Sequence, residues 1–266
     1  MDKEQKNQYW SERTRQSEEK AQRLAANYSK KQERLYQQTY RKIDTQINSL
    51  FAQINSAGAE TLTRTQLWQY SKYTQLRDII QQELTGVGNR QLTIMDEVIS
   101  KVFNNTLETT LKELYPDDRI FTFLRNTQTT QYLNSAWSGK NYSNRVWDNT
   151  NHLASQLNKH IEDMITLGKM PDQIKAQIMA DMNVGYSVAD RLVRTEASYA
   201  YNTASITSYK LAGVKEVEYI PEDDEDLCDE CEANAAANGG IYLLGTEPQL
   251  PVHPNCRCCY APVVEL

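Results

Sequence analysis

Cys228-Asp229-Glu230-Cys231 and, twenty-one residues later, His253-Pro254-Asn255-Cys256-Arg257-Cys258-Cys259 decide how the end of this chain folds. These two stretches hold all five cysteines and one of the three histidines. A CxxC pair lets two thiolates reach one ion from a single tight turn, and His253 with Cys256 repeats that spacing on a second arm. Cys228, Cys231, His253 and Cys256 are therefore expected to form a closed structural zinc site with no open position for a substrate. Cys258 is the alternative fourth ligand. Residues two apart on a strand point the same way, so Cys256 or Cys258 can close the site, and Cys259 points oppositely.

Working outward, the residues around this cluster differ in character from those before it. After Gly213, Val214, Val217, Tyr219 and Ile220 alternate with Glu216 and Glu218, and Ile241 to Leu244 and Cys258 to Val264 read as further strands. Five of the seven prolines lie beyond residue 220. Upstream the period is helical. Tyr9 to Asn55 contains no Gly or Pro and carries a thin apolar stripe through Leu24, Tyr28, Leu35, Ile43, Ile47, Leu50 and Ile54. Further helices are expected over Leu62–Leu84, stopped by Gly86-Val87-Gly88; over Gln91–Tyr115; over Ile120–Trp137; and over Val146–Leu167. A short one should run from Pro171 to Met182, turn at Asn183-Val184-Gly185, and be followed by a helix capped by Ser187 and ended by Gly213. The expected fold is mainly α: an elongated helical N-terminal region over 1–144, then an α+β C-terminal part over 145–266 whose last segment, about 214–266, is zinc-finger-like.

Composition narrows the function classes. Hydrophobic residues make up 39% of the chain, and sixteen Tyr stand against four Phe. The mean hydropathy is −0.69. Such a chain suits long polar helices that bury against partners better than an enzyme with a thick core. No apolar run is long enough to span a membrane, and Met1 to Lys6 lacks a secretory leader's apolar stretch. An odd number of clustered cysteines favours metal binding in a reducing compartment over a disulfide framework. The net charge of −6 is uneven: residues 216–232 contain ten acids and no base, whereas residues 1–45 contain eleven Lys or Arg against seven acids. An acidic protein is a poor non-specific DNA binder, so Arg13, Arg15, Lys30 and Lys31 are the candidate nucleic-acid contacts if double-stranded DNA is touched at all, and weakly. A solvated, mixed-charge helix explains the same residues.

Chemistry of other kinds has little to rest on. A redox CxxC is expected at a helix start in an electropositive setting, and this pair is expected in an acidic loop. His152 and His160 do not form the HExxH pattern of a zinc hydrolase and read as helix-surface residues. Gly86-x-Gly88 is no phosphate loop. Within Asp190-Arg191-Leu192-Val193-Arg194-Thr195-Glu196, charged residues interrupt an apolar helix, through half-buried pairing or a surface Asp190–Arg194 pair.

The Arg194-Thr195-Glu196 helix, Cys228-x-x-Cys231, Gly240 and the His253-Pro254-Asn255-Cys256-Arg257-Cys258 ending form an ordered set over about residues 145–264. This set resembles the signature of phage Mu F-like minor head proteins, the phage head morphogenesis family. The resemblance implies a non-enzymatic minor component of a tailed-phage head, found in the virion at the head interior or portal vertex and in the host cytoplasm during assembly. Its implied partners are the portal protein and the major capsid or scaffold protein, and its implied roles are head assembly and, in some members, DNA packaging or ejection. Some members carry a toxin or transferase domain after the motif; none is expected here, where Leu266 follows closely. The acidic Glu222–Asp226 stretch and the extra Cys259 depart from the family pattern. The alternatives are a DNA-binding protein of the ejection apparatus and a thiol-redox or zinc-dependent enzyme.

Overall fold

Long helices follow directly from the scarcity of Gly and Pro over the first two hundred residues. The computed structural model describes residues 3–58, 62–114, 135–222 and 227–264. It is 76% helical, with six helices among the described residues and one small three-stranded sheet. The helices are α1 (Lys3–Ser56), α2 (Arg64–Leu67), α3 (Ser71–Leu114), α4 (Tyr142–Thr166), α5 (Pro171–Leu211) and α6 (Asp229–Ala236); the strands are β1 (Glu216–Ile220), β2 (Ile241–Leu243) and β3 (Cys259–Val263). The expected class, mainly helical with a small C-terminal β module and a Cys/His cluster, is what the chain adopts.

The chain forms two compact units, and both are discontinuous in sequence. One comprises Ser29–Ile94 and Tyr142–Asp190; the other comprises Met1–Tyr28, Met95–Asn141 and Arg191–Leu266. The expected boundary at residue 144 does not separate them, because α1, α3 and α5 each contribute to both.

The first unit is entirely helical. The stripe on α4 buries Tyr142 and Val146, and its continuation through Leu153, Leu157, Ile161 and Ile165 packs with Ile43, Ile47 and Leu50 of α1 and Leu76, Ile80 and Leu84 of α3. Leu62 to Leu84 is not one helix. Thr63 and Gln66 make a reciprocal capping box that starts α2, the chain turns at Trp68–Tyr70, and the Gln53 side chain caps α3 by accepting from the Lys72 amide at 3.1 Å. The stops expected at Gly86-Val87-Gly88 and at Asn183-Val184-Gly185 are absent, and α3 and α5 run straight through them. Gly88 and Gly185 serve close packing instead. A Cβ on Gly88 would lie 2.7 Å from the Trp147 ring, and one on Gly185 would lie 2.7 Å from Leu153 and 3.0 Å from Tyr36. Ser187 therefore caps nothing; its hydroxyl donates to the Asn183 carbonyl one turn back. The helix expected over Ile120–Trp137 lies outside the described residues except for its end, where Ser135–Asn141 is irregular.

In the second unit, α5 ends where expected. Gly213 has φ +74°, and the Val214 amide donates back to the Tyr209 carbonyl at 3.0 Å, a Schellman closure. The chain then enters β1, the central strand of an antiparallel sheet of order β2-β1-β3. Val217 pairs with Tyr242 on one side and Pro262 on the other, and Ile220 pairs with Cys259. Pro262 is tolerated because β3 is an edge strand. No helix among the described residues is long and apolar enough to cross a membrane.

Candidate metal centre

All five cysteines are free thiols. Cys228 and Cys231 do not lie in a loop, as the sequence suggested. Cys228 is the N-cap of α6, and its sulfur accepts from the Cys231 amide at 3.4 Å. The acids that discouraged a helix-start reading, Asp229, Glu230 and Glu232, fill the first turn, where they complement the helix dipole. The second arm is a tight turn in which the Cys256 amide donates to the His253 carbonyl at 3.1 Å and Asn255 takes φ +64°. Asn tolerates that left-handed conformation better than most residues.

The two arms converge. Cys228, Cys231 and His253 place one ligand atom each within 4.8 Å of one another, and so do Cys231, Cys256 and Cys258. These donors are close enough to hold a metal ion, and Cys231, fully buried, belongs to both groups. Its sulfur lies 3.5 Å from His253 Nε2 and 3.9 Å from the Cys256 sulfur. His253 Nδ1 faces the Pro254 carbonyl at 3.0 Å. A carbonyl only accepts, so Nδ1 carries the proton and the Nε2 lone pair is left for an ion. Cys259, first residue of β3, is buried on the other side of the strand, near Glu18 and Arg15 of α1.

Burial pushes the Cys231 thiol up to about 12, and the neighbouring Cys258 sulfur, then burial, hold the Cys256 thiol far above its ordinary range. Cys258 goes the other way, to about 5, because the Cys256 thiol stabilises its thiolate against burial. A cavity of about 410 Å³ is lined by Gln22, Arg194, His253 and Arg257 together with Cys231, Cys256 and Cys258.

Three residues of α5 hold this arrangement in place. Thr195 Oγ1 accepts from the Asn255 amide at 3.1 Å, fixing the turn between His253 and Cys256. Glu196, almost fully buried, accepts from the Trp137 indole at 3.0 Å. Asn202 donates to the Cys258 carbonyl at 3.1 Å. Arg194, half-buried, faces the cavity. Polar residues in an apolar helix were the sequence signal for Arg194, Thr195 and Glu196, but Asn202 and Tyr219 were not singled out by it.

The four candidate nucleic-acid contacts do not converge. Arg13 pairs with Glu113, Arg15 is half-buried, and Lys30 and Lys31 are exposed farther along α1. His152 is exposed, and His160 contacts Asp181 at 2.7 Å; both belong to the all-helical unit rather than to the thiol cluster. No family model, curated protein or solved structure matches this chain.

Proposed function

We propose that this chain is a non-catalytic minor head protein of a tailed phage, built around a structural zinc site held by Cys228, Cys231, His253 and one of Cys256 and Cys258. One observation carries the metal half of the reading. In tetrahedral zinc coordination the sulfur–sulfur and sulfur–nitrogen edges are about 3.8 Å and about 3.5 Å, from the usual bond lengths. The Cys231–Cys256 and Cys231–His253 separations are 3.9 Å and 3.5 Å. The ion supplies a fixed positive charge that neutralises crowded thiolates and locks α6 to the His253–Cys256 turn; it has no catalytic task.

The assembly half is supported by the motif set that suggested it. Arg194-Thr195-Glu196, the CxxC pair and the His253–Cys258 stretch belong to one compact unit, joined through the Thr195–Asn255 bond. In this reading the metal module is a rigid docking head for portal, capsid or scaffold protein, and the polar helices cover themselves in the virion. DNA contact through Lys30 and Lys31 is secondary. The test is twofold. Elemental analysis should return one zinc per chain with no more than two of the five thiols open to alkylation. Co-expression with the portal protein from the same genome should yield a complex that survives gel filtration. A metal-free protein with freely exchanging thiols would favour the thiol-redox reading, for which the helix-capping position of Cys228 is the supporting observation.

A further inference from the structure

Tyrosines fill the core of the metal module, and their hydroxyls are disposed of systematically. Tyr209 donates to the Tyr260 carbonyl at 2.8 Å, Tyr242 to the Asn234 carbonyl at 2.6 Å, and Tyr260 to the Pro248 carbonyl at 2.5 Å. Tyr219 breaks the pattern. It sits on the central strand, 2% exposed, its ring set edge-on to Tyr260 at 5.5 Å. Its hydroxyl is buried and meets hydrogen-bonding geometry with no partner. The groups beside it are the side chains of Cys258 and Cys231. A buried hydroxyl without a partner is costly, and native proteins rarely keep one unless another state uses it. A thiol is a weak acceptor, whereas a metal-bound thiolate is a strong one.

We propose that Tyr219 is a positioning residue of the metal centre, its hydroxyl donating to the thiolate of Cys258, with Cys231 beside it, when the site is loaded. The inference rests on the metal-centre reading above. Ligand groups in metal sites are commonly oriented by such outer partners, whose loss weakens binding about 10–100-fold. Tyr219 suits the role because β1 is paired on both sides and cannot easily shift. It also gives Cys258 a donor within the buried cluster.

Cobalt(II) titration with a competing chelator tests this on the full chain. Wild-type protein should show thiolate-to-metal charge-transfer absorption. Tyr219→Phe should bind about tenfold more weakly, with that absorption moved to lower energy because the sulfur keeps more of its electron density. Tyr242→Phe, which removes a hydroxyl facing a backbone carbonyl, should leave the band in place. Should Tyr219→Phe fail to fold, the wild-type protein still answers. Zinc loading should make the Tyr219 hydroxyl proton slow to exchange and visible by NMR. If wild type develops no charge-transfer band, the metal-centre reading itself fails. If it does, and Tyr219→Phe matches it in affinity and band position, or the hydroxyl proton exchanges freely in the loaded wild type, only the role of Tyr219 is overturned.

Discussion

In the all-helical unit, fifteen of the twenty-one clustered buried residues are Ile or Leu, and none is Cys. In the C-terminal module the buried cluster has nine residues: four Tyr, three Cys, Val217 and Leu250. A fully buried Leu or Ile contributes about 1.5–3 kcal/mol. The helical unit can be stable on such contributions alone. The module's buried cluster has only two aliphatic residues beside three thiols, so on the metal-centre reading proposed above an ion that binds thiolates supplies much of its stability. On that reading, one molecule holds together in two ways, by area in one unit and by coordination in the other.

The sharpest way to break that contrast is to remove the ion or the residue common to both donor groups. Chelation, or Cys231→Ala, should abolish metal binding and the hydrogen-exchange protection of β1, β2 and α6. Protection around Ile43–Leu50 and Leu153–Ile161 should remain. Structural zinc in small domains is worth about 10–16 kcal/mol at neutral pH, so loss of protection in the module should be nearly complete. Uniform loss across both units would mean that they are energetically one. The converse experiment is smaller in size. Leu157→Ala or Ile161→Ala, both at fully buried positions, should cost about 2–5 kcal/mol in denaturant titration while one metal per chain is retained.

A third difference concerns polar burial. Glu18 is 4% exposed, and desolvation raises its pKa from 4.5 to about 8 despite Gln22 nearby. Between those values the folded chain keeps a proton that the unfolded chain has released. Stability from this group is therefore full below about pH 4.5, falls as pH rises through 8, and is level above that, by on the order of a few kcal/mol in all. Glu18→Gln should flatten the slope between pH 5 and 8. An unchanged slope would place its origin elsewhere, and protection of the Ile43–Leu50 core should not follow pH in either protein.

Legibility followed the same division. The strands, the CxxC pair and the His253–Cys256 turn were readable because thiol spacing and alternation are local signals. The face of α1 carrying Thr14, Glu18 and Gln22 was not, since buried polar residues at helical spacing leave no trace in a hydrophobic pattern. The same limit hid Asn202 and Tyr219, whose roles depend on what the fold brings opposite them. The interleaving of the units was invisible for a related reason: it depends on α1, α3 and α5 each being one long helix, and the sequence appeared to cut α3 and α5 at glycines.

Those glycines give the finest test, because one pair should respond with opposite signs. Gly86 and Gly88 lie two residues apart in the same helix, and neither is in the left-handed region. A Cβ on Gly86 meets nothing within 4 Å, so Gly86→Ala should stabilise by about 0.5–1 kcal/mol through helix propensity alone. A Cβ on Gly88 would lie 2.7 Å from a carbon of the half-buried Trp147 ring, so the ring would have to shift to admit it. Gly88→Ala should therefore destabilise by about 1–3 kcal/mol. Thermal unfolding of the two single variants decides the point. Gains at both sites would mean that Trp147 yields and the close approach is unimportant. Losses at both would favour the sequence reading, in which the pair stops the helix.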